Sequence, residues 1–430
     1  MIRTLVIGSL LCLNWSLTAS AGELPQGELA RAQSESTSER TDETSSESDL
    51  RIQQIESARA EKEANLRPEA EPELQYRIKW VQSSIPYKLM TSQYNGFGVG
   101  FGRMVSGAGF AIGPQFSRGN LLGGRLDFKT GARVSTNRSY LGRVDLSFHD
   151  LLGGRAFLNF GAEHRDFSEM PYYGPGPNSE KSGRSDYRLE DTTLELRPGI
   201  TPFRHLSAGV IGAYYKVNVG PGHSSRYISS ELKYTPEAAP GIDRQTSFWR
   251  GGAFLDYDWR DRNWAPTSGG KYSAQYTRYL DRDLDSFSYL RLDFDAAQYI
   301  PLFNHTRVIT LHAATSLTKN NGTQRVPFYL QPTLGGADTL RGYQSYRFYG
   351  HDSLLVNAEY RWDISPTASL MGFADCGRVF DRWAQWNLHK CESDVGFGFA
   401  FRSESKVVFR IDTGFSHEGV QVWFRANNLF

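Results

Sequence analysis

The sequence predicts an all-β fold, a sixteen-stranded antiparallel transmembrane barrel, and three observations carry that expectation. Segments of period-2 alternation hold charges in mid-strand, an export signal is followed by no apolar run of transmembrane-helix length, and the chain ends on Phe430. In the stretch from Leu354 to Asp363 the even positions (Leu354, Val356, Ala358, Tyr360, Trp362) are apolar and the odd ones mostly polar. Leu290, Leu292 and Phe294 likewise oppose Arg291, Asp293 and Asp295, and Phe409 and Ile411 oppose Arg410 and Asp412. A water-soluble sandwich also alternates, but its inward face is apolar. A barrel wall sets one face on lipid and the other on a polar lumen, which accommodates such charges.

The N-terminus reads as a signal peptide over residues 1–21. Arg3 precedes an apolar run from Leu5 to Leu13, and Ala19-Ser20-Ala21 is a small-x-small cleavage site. The run is too short to remain as a membrane span. Leu11 stands before Cys12 where a lipidated cysteine would follow a small residue, so lipidation is disfavoured. Residues 22–86 are expected to form a polar periplasmic tail, disordered over 22–48 because Ser, Glu, Thr and Gln dominate it. One short polar helix is expected from Asp49 to Asn65, ended by Arg67-Pro68.

The barrel is expected over 87–430. Leu121-Leu122-Gly123-Gly124-Arg125 recurs as Leu151-Leu152-Gly153-Gly154-Arg155, a spacing of 30 that fits two strands with two connections and puts both copies at one end. Further turns on that side are expected at Arg197-Pro198-Gly199, Ala265 to Gly269, Pro301 to Asn304, Ser365-Pro366-Thr367 and Ser403-Glu404-Ser405. Seven short turns imply sixteen strands, from 97–103 to 419–430, an even number as closed bacterial barrels require. Longer connections are expected at about 166–185, 218–243 and 319–352. Such barrels carry long loops outside and short turns in the periplasm, which places both termini in the periplasm. The first strand, with glycines alternating between Phe97, Val99 and Phe101, is expected to pair with the last at the barrel seam.

The sixth long loop holds Leu340-Arg341-Gly342-Tyr343. A guanidinium entering the lumen needs a counter-charge, since an unpaired buried one is costly. Glu359 on the twelfth strand and Asp375 on the thirteenth are its expected partners. Gly396, Gly398 and Ala400 share one face of the fourteenth strand, where small residues leave room for a loop folded inward. Cys376 and Cys391 are either two unrelated small residues or a disulfide closing a short outer loop, an option that an oxidising compartment allows.

The arginine tip, the Gly372-x-x-Asp375 segment and Arg260-Asp261-Arg262-Asn263 with Pro266 and Gly269 together resemble the bacterial surface antigen family, which includes BamA, TamA and the two-partner secretion translocators. The resemblance covers roughly residues 90–430. It implies a barrel whose sixth extracellular loop folds inward against strands 12 to 14, with Arg341 at its tip, Gly342 and Tyr343 completing the tip, Asp375 as partner and Glu359 as second acid. Leu340 stands where Val or Ile is usual in the family. The polar tail is too short for a polypeptide-transport-associated domain, so the chain resembles a barrel-only branch. Phe430 resembles the terminal signal read by outer-membrane assembly machinery.

These readings imply a non-enzymatic insertion or translocation barrel in the outer membrane of a Gram-negative bacterium. Its expected partners are membrane lipid, the assembly machinery during biogenesis, and a periplasmic protein engaged through residues 22–86. A passive channel and a surface structural or adhesive protein are the alternatives. Near-zero net charge (+1) gives no case for nucleic acid. The nine histidines show no metal-ligand spacing and no nucleophile elbow occurs, so no cofactor, metal or catalytic site is expected. Gly96 to Gly102 reads as a strand rather than a nucleotide loop, since no βαβ unit surrounds it.

Overall fold

The computed structural model describes residues 51, 53–59, 61, 84, 95–104, 109–303, 305–382, 385, 390–402 and 407–426. The export signal, most of the 22–86 tail, Ser403-Glu404-Ser405 and Phe430 lie outside the described residues. The chain divides into two compact units, Met1–Tyr76 and Arg77–Phe430. In the first, residues 51, 53–59 and 61 are helical.

Among the described residues, the second unit has eighteen strands: β1 (Phe97–Arg103), β2 (Phe110–Asn120), β3 (Leu126–Ser135), β4 (Tyr140–Leu151), β5 (Ala156–Tyr172), β6 (Ser185–Phe203), β7 (Leu206–Pro221), β8 (Ser247–Asp258), β9 (Gly269–Asp281), β10 (Tyr289–Leu302), β11 (Arg307–Asn320), β12 (Thr333–Leu334), β13 (Phe348–Tyr349), β14 (Asp352–Asp363), β15 (Ala368–Phe380), β16 (Glu392–Arg402), β17 (Val407–Ser416) and β18 (Gly419–Ala426). Sixteen of them form one antiparallel meander in chain order, while β12 and β13 pair as a small hairpin inside the β11–β14 connection. The two Leu-Leu-Gly-Gly copies make matching turns, with Leu122 and Leu152 both at φ 51°.

Outward positions carry exposed apolar residues such as Val210, Trp249, Tyr276, Phe294, Leu311, Tyr360, Trp362 and Phe397, the lipid face of the wall. The wall is uneven in height. β5, β6 and β7 run 17, 19 and 16 residues, well past the ~9–11 that cross a bilayer.

Beyond the bilayer the polarity of these strands inverts. On β7, Val210 and Tyr214 face out in the lower half, but higher up Tyr215, Val217 and Val219 are buried inside while Lys216 and Asn218 are exposed. On β6, Tyr187 and Leu189 are buried while Arg188 and Glu190 face out. The reason is a core at the long-loop end. Phe328 and Tyr329 of the β11–β14 loop, Ile242 of the β7–β8 connection and Phe287 of the β9–β10 connection pack against Tyr172, Tyr187, Tyr215, Phe248 and Tyr289 of the wall. Phe328 touches Tyr172, Tyr187 and Tyr329 with ring centroids 4.9, 4.7 and 5.5 Å apart. Below this cap the lumen holds a polar cavity of about 870 Å³ lined by Lys129, Asp145, Glu195, Arg250, Asp256 and others.

Three expectations are corrected here. Arg197-Pro198-Gly199 is not a turn. It lies within β6, where Pro198 pairs with Leu158 of β5, and the chain reverses at Arg204-His205 between the paired Phe203 and Leu206. A proline survives there because no register partner on β7 calls on its missing N–H. The long connections are shorter than expected for the same reason that the wall is tall: the first spans 173–184, the others 222–246 and 321–351. Finally, among the described residues no ladder joins β1 to β18. The two edges adjoin, with the Phe101 and Phe424 rings 6.4 Å apart and nearly parallel, and leave a seam.

Candidate functional site

The β11–β14 loop doubles back on itself. Thr333 pairs with Tyr349 and Leu334 with Phe348, and the segment between them is tightened by hydrogen bonds from Gly336 N to Leu340 O (3.1 Å), from Tyr343 N to Leu340 O (3.1 Å) and from Gly335 N to Thr339 Oγ1 (2.9 Å). Leu340 is fully buried with Leu334, Phe348, Leu355 and Val379, an apolar anchor that brings Arg341 down onto the wall.

Arg341 meets both acids. Its Nε donates to Asp375 Oδ2 at 2.8 Å and its Nη2 to Asp375 Oδ1 at 2.7 Å, a bidentate fork. Its Nη1 donates to Glu359 Oε2 at 2.6 Å. The guanidinium carbon stands 3.5 Å from the centre of the Phe373 ring, adding a cation–π contact. The backbone is held as well: Arg341 N donates to Asp375 Oδ2 at 3.2 Å, and Arg341 O accepts from Trp423 Nε1 at 2.7 Å. Arg341 is 6% exposed and Asp375 2%. Burial opposes the Arg341 charge, but hydrogen bonding and charge from Asp375 and Glu359 outweigh it and raise the guanidinium above its ordinary value.

The pairing extends beyond the acids expected from sequence. Arg410 Nη2 reaches Glu359 Oε2 at 2.6 Å and its Nε reaches Asp412 Oδ2 at 2.8 Å. Arg425 Nη2 contacts Asp412 Oδ2 at 2.5 Å, and its Nη1 returns to Asp338 of the loop at 3.0 Å. Charges therefore alternate along Asp375, Arg341, Glu359, Arg410, Asp412, Arg425 and Asp338, so each buried charge has an opposite neighbour. Asn357 adds a neutral link, its Nδ2 donating to Thr339 O and to Asp375 Oδ1, each at 2.8 Å. Arg410 and Asp412 were legible by period as sharing the face opposite Phe409 and Ile411, but nothing in the sequence said which loop charge they or Arg425 would serve.

Close approach explains the glycine of the tip. A Cβ on Gly342 would lie 2.5 Å from Asp394 Cβ, and one on Gly414 of β17 would lie 2.5 Å from the Arg341 carbonyl. The small residues of β16 do a different job from the one expected. A Cβ on Gly396 would strike the Phe373 ring and one on Gly398 would strike Met371 and Asp412, so this stripe seats wall side chains rather than the loop. The room for the loop comes from Gly414 and from Gly377, whose Cβ would meet Leu334 and Leu340.

Tyr343 is fully buried, and its hydroxyl donates to Glu392 Oε2 at 2.9 Å beside His417 Nδ1 at 3.1 Å. Burial, reinforced by the Glu392 carboxylate, raises this phenol above its ordinary range. Arg347, further along the loop, pairs with Glu418 of the β17–β18 turn at 2.8 Å and reaches Ser179 O at 2.7 Å. The loop thus binds β18 and its turn at three places: Trp423, Arg425 and Glu418.

Cys376 and Cys391 form a disulfide that joins β15 to the start of β16 across a separation of 15 residues. Replacing both by Ser is expected to lower unfolding free energy by about 2–3 kcal/mol while the barrel still forms, as restriction of the unfolded chain predicts. Urea melts of the double variant against the oxidised parent check this, and equal midpoints would refute it. Among the described residues no group of His, Cys, Asp or Glu is arranged to hold a metal ion.

A family model described as the Omp85 superfamily domain matches residues 118–412. Among solved structures, BamA from Haemophilus ducreyi lacking POTRA domains 1–3 is similar with a TM-score of 0.56 and 15% identity, over 77% of this chain and 69% of that one. CdiB from Escherichia coli is similar with a TM-score of 0.52 and 12% identity, over 76% of this chain and 61% of that one. The chain therefore spans less than two thirds of the length of that CdiB. At such identities the likeness is one of fold, a barrel of the BamA type. The family match covers well over half of the sequence, and the chain belongs to the Omp85 superfamily of outer-membrane barrels.

Proposed function

We propose that this chain is a non-enzymatic barrel that inserts or translocates polypeptides at the outer membrane, with its long loops outside and both termini in the periplasm. The seam between β1 and β18 carries this reading. A strand edge facing lipid has backbone groups that water cannot satisfy, so it is a template for an incoming strand. The internal loop supports the same reading. It holds β18 through Trp423, Arg425 and Glu418, keeping one side of the seam in place while the other is free to pair. In this role Leu340, Arg341, Gly342 and Tyr343 act as a lock on Glu359 and Asp375. A periplasmic partner delivering cargo through residues 22–86, and recognition of Phe430 by assembly machinery during biogenesis, complete the proposal.

The aromatic cap and the loop fill the long-loop end of the lumen, which weighs against a passive channel. The test is a reversible staple across the seam. Phe101→Cys with Phe424→Cys, whose rings now adjoin, is oxidised in reconstituted vesicles. The folding of a urea-unfolded client barrel into those vesicles is then timed. Wild type is expected to accelerate folding, the oxidised staple to abolish the acceleration and reductant to restore it. Acceleration that persists under the staple, or none from wild type, rejects the proposal.

A further inference from the structure

At its long-loop end the lipid-facing side of β8 to β11 carries two cations that the lock, the cap and the seam leave unused. Leu290 of β10 is paired on one side with Arg278 of β9 and on the other with Lys319 of β11. The three residues form one cross-strand row, so the two cationic Cα atoms stand about 10 Å apart, two strand spacings. Both side chains are exposed, and among the described residues neither has a polar partner in the protein.

The row sits at the long-loop rim. Arg278 is the fourth residue from the end of β9, Leu290 the second of β10, and Lys319 the last but one of β11. Below it the outward residues are apolar but for one threonine: Tyr276, Leu292 and Leu317 form the next row, and Ala274, Phe294 and Thr315, its hydroxyl bonded to Ser353 O, the one after. Beside Arg278 the row continues into Gly251 and Gly212, where an added Cβ would meet nothing within 4 Å, leaving a shallow slot between Trp249 and Ala253. No carboxylate occupies an outward position of β8, β9, β10 or β11.

An unpaired guanidinium on a lipid-facing wall is costly unless it reaches the interface and finds an anion there. Two cations at interfacial height, above a strip of largely apolar wall and with no outward acid on the strands beside them, match an anionic head joined to acyl chains. We propose that Arg278 and Lys319 bind the phosphate of a phosphorylated lipid in the outer leaflet, its chains lying on Tyr276, Leu292, Leu317 and the bare wall at Gly251. The proposal takes from the functional reading only that the long loops face outside.

Full-length protein in detergent is titrated with bisphosphorylated lipid A, with the same lipid A after removal of its phosphates, and with inorganic phosphate. Native mass spectrometry counts the bound lipid. Arg278→Gln with Lys319→Gln is expected to weaken lipid A binding about tenfold or more, as loss of two charge-assisted contacts implies. Arg307→Gln, at the short-turn end of β11, is expected to leave it unchanged, and Arg278→Lys to retain most of it. Dephosphorylated lipid A is expected to bind wild type no better than lipid A binds the double variant, and millimolar inorganic phosphate not to displace it. Heat-modifiable gel mobility certifies that each variant is folded. Binding by the folded double variant within about twofold of wild type overturns the proposal. So does equal binding of the dephosphorylated lipid, or displacement by inorganic phosphate, which would mark a site for the free anion. Client-folding rates report on the insertion reading separately and are expected to survive the double variant in phospholipid vesicles that contain no lipid A.

Discussion

Arg341→Ala is expected to lower the unfolding free energy of the barrel by about 3–5 kcal/mol, the usual cost of removing one partner from a buried ion pair. The loss is large because the change strands three groups at once. Asp375, almost fully buried, loses both arms of the bidentate fork, though Asn357 Nδ2 and the Arg341 backbone N–H still reach it. Glu359 keeps Arg410, and so suffers less. Phe373 loses the cation above its ring. Asp375→Ala is expected to cost a similar amount by leaving the guanidinium with Glu359 alone. The double variant is expected to cost much less than the sum, because both ends of the stranded pair are gone. Arg341→Lys is expected to fall between, since an ammonium cannot span two carboxylates as a planar fork does. Urea titration of the gel-mobility shift in reconstituted protein measures all four. Single variants as resistant as wild type would remove the lock from the account.

Phe328→Ala is expected to cost about 3–5 kcal/mol, the range for deleting a buried aromatic from a packed core. It is also expected to open a conductive path. Phe328 is fully buried at the centre of the cap, its ring against Tyr172, Tyr187 and Tyr329 and its backbone N–H donating to Pro240 O at 2.9 Å. Without the ring, the β11–β14 loop loses its packing against Tyr172 and Tyr187 of the wall, above the 870 Å³ lumen cavity. Planar-bilayer recordings are expected to show a closed wild type and frequent openings in the variant. A wild type that already conducts steadily, or a variant as silent as wild type, would mean that the cap is not the barrier.

The alternation of Leu354 to Asp363 was enough to assign one face of β14 to lipid and the other to the lumen, because side chains on a strand can only alternate. It also placed Glu359 toward Arg341, and the turn at Ser365-Pro366-Thr367 placed Asp375 one strand further on. The same rule could not orient β6 and β7, where the apolar face carrying Tyr187, Leu189, Tyr215, Val217 and Val219 is interior. Periodicity tells which residues share a face but not which solvent that face meets, and above the bilayer the two solvents trade places.

From its residue order alone, this chain determined a meander of sixteen strands and a cationic tip in need of acids. Both follow from local constraints: strand period, turn chemistry and the cost of a lone buried charge. Only the folded structure decided that Arg410, Asp412 and Arg425 extend the charge chain to Asp338, that Gly414 rather than the β16 glycines receives the tip, that loops and wall build an aromatic cap, and that β1 and β18 adjoin unpaired. Each of these depends on how many strands lie between two residues around the wall and how high each strand stands, distances that exist only once the sheet has curved.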